Sequence, residues 1–396
     1  MRYALLLVLV LCGCGTRGAP QQPNKRVAAK PHVALSPSAN GGTASVAGSA
    51  GSAGSAGSAS DAGRGSASFL LKGGSVFGVG VQNLLVDAGR ITAVGVGVMP
   101  TDRVVDVTGR YIVAGFIDSH VHLAYDPVGE DLLTSGIVAV LDLAAPLSAL
   151  KTDHGALRVL NAGPMITAPL GYPTTSWGQG GYGFEVSSPA TGATAVETLF
   201  SAGVRLIKVP LTAAPTLDDA TVKAVVNAAH QHQLKVYAHA LEEANAARAA
   251  RDGVDVLAHT PTEPLSAATL DAWHARTVIS TLSAFGGGAA AVQNLHDLRE
   301  RGARVLYGTD LGNTRDTNIQ AAEIALLLAA GLDGASIVKA GTSVPAEFLG
   351  LTDLGSLEVG KRASFLVLAS DPTLDPRALS SPIAVYVDGV MISAGL

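Results

Sequence analysis

The chain has 396 residues, of which 48% are hydrophobic and 15% are charged, and its formal net charge is −5 at pH 7. A chain of this length and apolar content can bury one large core and a smaller domain beside it. The few charges and the negative balance leave no basic face that could hold phosphates by counterion release. The composition therefore argues against nucleic acid as a partner.

The first residues have the form of a bacterial export signal. An apolar run from Ala4 to Leu11 is too short to cross a bilayer but has the length of a signal-peptide hydrophobic region. It runs into Leu-Cys-Gly-Cys, which resembles the lipobox, where a cysteine is lipidated and becomes the mature N-terminus. We expect removal of residues 1–13, a lipid on Cys14, and a protein held at the periplasmic or outer-membrane face. An ordinary cleaved signal with a chance cysteine is the alternative.

Residues 14–68 are predicted to be a flexible tether, because proline-containing sequence and Gly-Ser-Ala triplets cannot bury enough apolar area to become ordered. Cys12 and Cys14 are the only cysteines of the chain. With Cys14 acylated, the mature protein has no thiol for a disulfide or a cysteine metal site. The lipid anchor is the only membrane contact that we expect. The sequence does not indicate whether the protein forms oligomers.

Short β-rich runs between glycine and aspartate turns begin at residue 69. Those before residue 110 lie at 69–71, 83–86, 90–94 and 103–107. A matching set closes the chain at 363–368, 383–387 and 390–392, with the turn Asp388-Gly389 before the last run. We predict that residues 69–110 and 355–396 together form one small β-sandwich domain.

Between these ends, eight apolar runs of strand length alternate with helical patterns, which is typical of βα units around a parallel sheet. The runs lie at 111–117, 136–143, 158–162, 204–209, 234–238, 254–258, 277–282 and 304–308. One helix is expected after the capping sequence Thr216-Leu217-Asp218-Asp219, and another over 318–330. Eight such units have the usual size of a (β/α)8 TIM barrel, which we predict for residues 111–354. A doubly wound sheet is the weaker alternative, because no Gly-x-Gly-x-x-Gly follows the first strand.

Side chains that can bind metal lie at the carboxyl ends of five predicted strands. They are His120 and His122 after the first, Lys208 near the end of the fourth, His239 after the fifth, His259 after the sixth and Asp310 after the eighth. In a TIM barrel these ends meet at one rim, so residues far apart in sequence would converge. Imidazole and carboxylate are metal ligands, which predicts a metal site there. Taken singly, the histidines have an alternative as loop or core residues and the aspartate as a helix N-cap.

Lys208 lies inside the apolar run Leu-Ile-Lys-Val-Pro. Burial of an ammonium group favours its neutral form. A neutral amine reacts with carbon dioxide, and the resulting carbamate is an anion that can bridge two cations. The alternative is a lysine that extends from the strand end to water.

Two longer segments carry a family resemblance. Residues 112–123, Ile-Val-Ala-Gly-Phe-Ile-Asp-Ser-His-Val-His-Leu, resemble the first-strand signature of the amidohydrolase superfamily, and residues 354–367 resemble its sandwich-domain signature. The stretch 163–169, with the order of the lysine, the two later histidines and the aspartate, is most similar to the imidazolonepropionase-like branch. That branch includes metal-dependent dipeptidases of the prolidase type. The resemblance extends from residue 69 to the C-terminus.

The resemblance implies a site for two divalent metal ions. In such families a His-x-His pair and an aspartate hold one ion, two later histidines hold the other, and a carboxylated lysine bridges them. The corresponding residues here are His120, His122 and Asp310, then His239 and His259, and the carbamate of Lys208. These ligand types accept zinc, cobalt, manganese and nickel, and zinc is the default expectation.

Two cations that share a water molecule lower its pKa towards neutrality, so a bridging hydroxide would attack a carbonyl that one ion polarises. Asp310 would take the proton of the water and deliver it to the leaving nitrogen. The expected function is hydrolysis of an amide, peptide or cyclic-amide C–N bond, as in a dipeptidase. Two alternatives stay open: an esterase, lactonase or phosphotriesterase with the same site, and a surface-binding lipoprotein without catalysis.

Substrate contacts are expected from the long loop after the third strand, residues 168–185. Its glycines and its aromatic residues Tyr172, Trp177 and Tyr182 are typical of a mobile lid. The alternative is an irregular connection that does not contact substrate.

Two further residues are candidates for substrate binding. Tyr237 lies two residues before His239 on one strand face, so its hydroxyl would point into the pocket unless the ring packs inside the barrel. Arg315, in the loop after Asp310, would pair with a substrate carboxylate unless it is a solvated loop charge.

Overall fold

The computed structural model describes residues 68–97 and 101–394. The predicted signal peptide, Cys14 and, apart from Ser68, the tether lie outside the described residues. Within the described ranges, no helix is both long enough and apolar enough to cross a membrane.

The described chain begins with five strands that contribute to a sheet shared with the C-terminal end. They are β1 (Phe69–Val76), β2 (Gly80–Asp87), β3 (Arg90–Gly95), β4 (Val104–Asp106) and β5 (Tyr111–Ala114). The first three form an antiparallel meander, while β4 and β5 run parallel to β1.

Parallel strands occupy the central region. They are β6 (Phe116–Val121), β7 (Ile137–Asp142), β8 (Arg158–Asn161), β9 (Met165–Thr167), β10 (Gly183–Glu185), β11 (Ile207–Pro210), β12 (Val236–His239), β13 (Val256–Leu257), β14 (Thr277–Ile279) and β15 (Arg304–Leu306). Three of them form the sheet β6-β7-β8, five form β11-β12-β13-β14-β15, and the short β9 and β10 pair with each other. The eight strands of the two larger sheets correspond to the eight predicted runs, and the α/β class is confirmed.

Helices separate most of these parallel strands. They are α1 (Gly129–Thr134), α2 (Pro189–Ser201), α3 (Asp219–Gln231), α4 (Glu243–Arg251), α5 (Ala267–Ala272), α6 (Ala289–Glu300), α7 (Ala321–Ala329), α8 (Gly334–Ala340) and α9 (Ser343–Leu349). The helix predicted near residue 216 is α3, and its N-cap is Asp218, which accepts a hydrogen bond of 2.7 Å from the Thr221 backbone N–H. The helix predicted over 318–330 is the shorter α7.

Three strands complete the shared sheet: β16 (Phe365–Leu368), β17 (Ala384–Val387) and β18 (Val390–Ala394). The strand order is β18-β17-β16-β5-β1-β2-β3, with β4 beside β1. The predicted turn at residues 388 and 389 connects β17 to β18, and both residues have positive φ. Hydrogen bonds join all eight strands into one sheet, where the predicted sandwich would have two facing sheets.

The first predicted barrel strand, 111–117, is two strands in the structure. Residues up to Ala114 pair with β16 of the shared sheet, and the parallel sheet begins only at Phe116. Gly115 lies between them, where a Cβ atom would approach the Val138 side chain to 2.6 Å, and its N–H donates to the Ser364 carbonyl at 2.9 Å. Because the chain changes its pairing partner at Gly115, the first strand of the parallel sheet is β6, and β6 carries His120.

Candidate metal centre

Three predicted ligands meet at the carboxyl end of β6. The Nε2 atoms of His120 and His122 each lie 3.2 Å from Oδ1 of Asp310. All three side chains are buried, and their ligand atoms lie within 4.8 Å of one another. Two imidazole nitrogens and a carboxylate oxygen in this arrangement are suited to one divalent cation.

Hydrogen bonds to Asp118 hold the segments that carry these ligands. Its buried carboxylate accepts from the backbone N–H of His120 at 3.0 Å and from the N–H and hydroxyl of Thr309 at 3.1 and 2.5 Å. Burial raises the pKa of Asp118 to about 7. The Asp310 N–H donates to the His120 carbonyl at 2.9 Å, and Asp310 has a positive φ of 53°. A left-handed backbone at a non-glycine residue is uncommon and is maintained here by the surrounding contacts.

The two later histidines lie beside the first group. The ring centroid of His259 is 4.3 Å from that of His120 and 4.7 Å from that of His239. Burial lowers the pKa of His239 to about 3 and lowers the pKa values of His120 and His259 well below the usual value. Neutral imidazole is the form that coordinates metal.

Hydrogen bonds orient two of these rings. His120 donates from Nδ1 to the Ala258 carbonyl at 2.7 Å, which leaves Nε2 as the acceptor nitrogen. Nδ1 of His259 pairs with the Thr281 hydroxyl at 3.1 Å. Thr281 has a φ of 42°, an unusual value for a β-branched residue. Fixing the second ring nitrogen in this way is characteristic of metal-ligating histidines.

Lys208 is fully buried on β11, and burial lowers the pKa of its ammonium group to about 7. Its Nζ has no hydrogen-bond partner among the described residues. Nε2 of His120 and Oδ1 of Asp310 are likewise buried without a hydrogen bond. Buried polar atoms are normally satisfied, so this concentration at one place points to a missing ligand. The donor types and their burial fit divalent metal ions.

The predicted lid extends over this centre. The ring of Trp177 lies 5.0 Å from His122, and that of Tyr172 lies 5.4 Å from His239, measured between centroids. Trp177 Nε1 donates to the Tyr172 hydroxyl at 2.7 Å. Tyr182 contacts Trp177 at 5.5 Å and donates to the Ala124 carbonyl at 3.0 Å. The structure therefore brings all three aromatic residues to the centre, and their contact with substrate stays a prediction.

Several residues at the centre were not predicted from the sequence. Phe285 lies 4.9 Å from His259, and Tyr125 lies 5.4 Å from Trp177. Phe285 and Thr281 follow β14, a strand end that carries none of the predicted ligands. Tyr125 comes three residues after His122. Its closeness in sequence to the His-x-His pair was the only sign that it could lie at the centre.

The remaining two candidates lie elsewhere. Tyr237 is 1% exposed and lines a cavity at the amino-terminal ends of β8, β11 and β12, away from the histidines. This placement corresponds to the packing alternative. Arg315 forms an ion pair of 2.6 Å with Asp126, and its side chain is 65% exposed. Its binding of a substrate carboxylate stays a prediction.

Residues 111–392 match the sequence model of the Amidohydrolase family. The chain belongs to the amidohydrolase family. The matched range contains all six predicted metal ligands. The prediction of an amidohydrolase-type enzyme is confirmed at the level of the family.

Individual relatives of this amidohydrolase differ in the reactions named for them. It is 27% identical over 304 residues to an adenine deaminase from Deinococcus radiodurans, covering 72% of this chain but only 55% of that protein. A candidate prolidase from Bifidobacterium longum has 25% identity and a TM-score of 0.71, over 83% of this chain and 95% of that one. A Xaa-Pro dipeptidase structure with bound methionine has 19% identity and a TM-score of 0.71, over 82% and 99% of the two chains, and shows the shared fold.

The hydrogen bond from Thr281 to His259 predicts an effect on metal affinity. The isosteric Thr281→Val variant loses the hydroxyl, and we expect its zinc affinity to fall by about 10–100-fold because the imidazole is no longer oriented. Zinc titration of the metal-free protein against a competing chelator measures this. Thr281→Ser retains the hydroxyl and serves as the control. Equal zinc affinity in the valine variant and the unmodified protein would show that this contact does not orient a ligand.

Proposed function

We propose that the protein is a binuclear metal-dependent hydrolase that cleaves an amide, peptide or cyclic-amide C–N bond, of the dipeptidase or prolidase-like kind. The observation that carries the proposal is Lys208, whose buried Nζ lacks a partner beside neutral imidazoles. A carbamate formed there adds an anion between the two groups of histidines.

We also infer that the eight parallel strands of the two larger sheets close into a (β/α)8 barrel. The Arg205 N–H donates to the Asn161 carbonyl at 2.9 Å, which links the beginning of β11 to the end of β8. At the other junction, the Ser119 N–H donates to the Tyr307 carbonyl at 2.9 Å, which links β6 to the end of β15. These two contacts support a continuous ring of strands with the ligands at its carboxyl end.

The ligands divide into two sets in the proposed site. His120, His122 and Asp310 would hold one ion, His239 and His259 the other, and carboxylated Lys208 both. Such ions polarise a carbonyl group and lower the pKa of a water molecule, and zinc is the expected metal. The chain's own residues orient these ligands, exclude bulk water and move protons.

Asp310 is proposed as the residue that moves the proton. Its Oδ2 accepts from the Asn313 side chain at 3.1 Å, while Oδ1 has no hydrogen-bond donor and faces the histidines. The carboxylate can take a proton from the attacking water and return it to the leaving nitrogen. The left-handed backbone at Asp310 holds the carboxylate in this position.

Trp177 and Tyr172 are proposed to bind the apolar part of the substrate. Each contacts a histidine of a different ligand set, and their hydrogen bond to each other satisfies their polar groups. The ring faces that remain are suited to planar or apolar groups next to the scissile bond.

Metal content tests the binuclear site. We expect about two metal ions per chain in the purified protein and at most about one in Lys208→Ala, because the bridging ligand is lost. Elemental analysis measures both. Lys223→Ala, which removes a lysine that is 51% exposed, is the matched control and should leave the content unchanged.

A content of about one ion that does not depend on Lys208 would indicate a mononuclear enzyme and contradict the bridging role. The complete absence of bound metal after reconstitution would contradict the hydrolase proposal itself.

A substrate panel tests the bond and the lid together. The panel contains dipeptides, acyl amino acids, lactones and aryl phosphotriesters, and we expect hydrolysis of C–N bonds. In Trp177→Ala, KM for substrates with an aromatic side chain should rise by about two- to tenfold, since a ring contact contributes about 0.5–1.5 kcal/mol. Leu170→Ala, an exposed substitution in the same loop, is the control. Hydrolysis confined to lactones or phosphotriesters would contradict the amide assignment.

We further propose that the protein is a membrane-anchored lipoprotein with its lipid on Cys14, as the lipobox-like sequence indicates. In a bacterial host, Cys14→Ser should move the protein from the detergent-soluble membrane fraction to the soluble fraction. Cys12→Ser is the matched control and should leave it in the membrane. An unchanged distribution of the Cys14→Ser variant would exclude this anchor.

A further inference from the structure

A second cavity lies at the amino-terminal ends of the parallel strands, opposite the metal centre. Its volume is about 540 Å³, and it is lined by residues at the starts of β8, β11 and β12 and at the end of α9. Ligand sites commonly have volumes of about 300–1,000 Å³. The proposed hydrolysis does not use this cavity.

Basic side chains line the cavity, and two of them have no acidic partner among the described residues. Arg158, Arg205 and Lys235 line it, and of these three only Arg158 has an acidic partner among the described residues, Asp353 at 3.3 Å. Lys235 also lies 5.0 Å from the centroid of the Phe348 ring, which lines the cavity.

A further cation approaches the same ring, because the Arg304 guanidinium lies 5.1 Å from the Phe348 centroid. Arg304 has no acidic partner in the described part of the chain. Two like charges near one ring repel each other, and the attraction of the ring for each offsets that only in part. An anion in the cavity would remove the repulsion.

Three acidic residues near the cavity already have partners. Asp255 accepts from His230 at 2.9 Å and from the Val236 N–H at 2.8 Å, and Glu197 pairs with His232 at 2.8 Å. Asp353 pairs with an arginine as described above. Within residues 68–97 and 101–394, Arg205, Lys235 and Arg304 have no carboxylate partner.

Tyr237 supplies a second, independent observation. It is 1% exposed and lines the cavity, and its hydroxyl makes no hydrogen bond with any described residue. A ligand oxygen in the cavity could accept its hydrogen bond. Apolar side chains, including Leu160, Phe200 and Phe348, form the rest of the lining.

We propose that this cavity binds a small organic phosphate. Arg205 and Lys235 neutralise the phosphate group, which carries a charge of about −1.5 to −2 at pH 7. Tyr237 donates a hydrogen bond to one phosphate oxygen, and the organic group contacts Phe348. A phosphate matches two unpaired cations better than a carboxylate, which has a single charge.

Isothermal titration of the full-length, metal-containing protein with phenyl phosphate tests the proposal. We expect saturable binding that becomes at least about tenfold weaker in the double variant Arg205→Gln/Lys235→Gln, because charge-assisted hydrogen bonds are lost. Tyr237→Phe removes only the hydroxyl and should weaken binding by about three- to tenfold. Arg205 and Lys235 are both exposed, so the double variant should fold normally.

Two controls separate this cavity from other sources of binding. Arg110→Gln/Lys151→Gln makes the same change in net charge at exposed positions and should leave the affinity unchanged. Lys208→Ala disrupts the metal centre and should also leave it unchanged, so a failure of the metal proposal does not affect this test. Inorganic phosphate should bind more weakly than phenyl phosphate.

Four results would overturn the proposal: no saturable binding of phenyl phosphate, equal weakening in the two double variants, loss of binding in Lys208→Ala, or equal affinity for inorganic phosphate. The third would place the phosphate on the metal centre. The fourth would leave the organic group without a role.

Discussion

The buried carboxylate of Asp118 is the constraint on which the metal centre depends. Isolated burial of a carboxylate is costly, and three hydrogen bonds, from the His120 N–H and from both donors of Thr309, compensate it here. The same bonds connect the end of β6 with the segment after β15, where the two parallel sheets meet. This side chain therefore contributes, together with the backbone hydrogen bond from Asp310 to His120, to the position of Asp310 relative to the histidines.

Buried polar atoms without hydrogen bonds at the candidate metal centre lower the free energy of unfolding of the metal-free protein. Lys208 and several ligand atoms are buried without hydrogen bonds, and each such atom costs free energy that ordinary core residues avoid. Neutral histidines reduce the repulsion within the cluster, because burial suppresses their protonation. Binding of cations to these atoms would offset the free energy that their burial costs. Folding stability and metal affinity should therefore be coupled.

The sequence predicted where the ligands converge because the side chains fall at strand ends, and the strand ends of a parallel sheet share one edge. It did not predict the split at Gly115, which depends on a hydrogen bond to Ser364, about 250 residues away. Alternate residues of a strand point to the same face, so Tyr237 was expected on the face of His239. That pattern does not show whether a side chain lies near the carboxyl or the amino end of the sheet. Thr281 and Phe285 were missed because their roles come from tertiary contacts with His259 and from no local pattern.

The lid connects the two ligand sets. Trp177 contacts His122, Tyr172 contacts His239, and the hydrogen bond between the indole and the phenol links the two contacts. A ring that moves to admit a substrate breaks this bond or moves its partner, because neither polar group has another hydrogen-bond partner among the described residues. This hydrogen bond therefore couples the positions of the two rings beside the two groups of histidines.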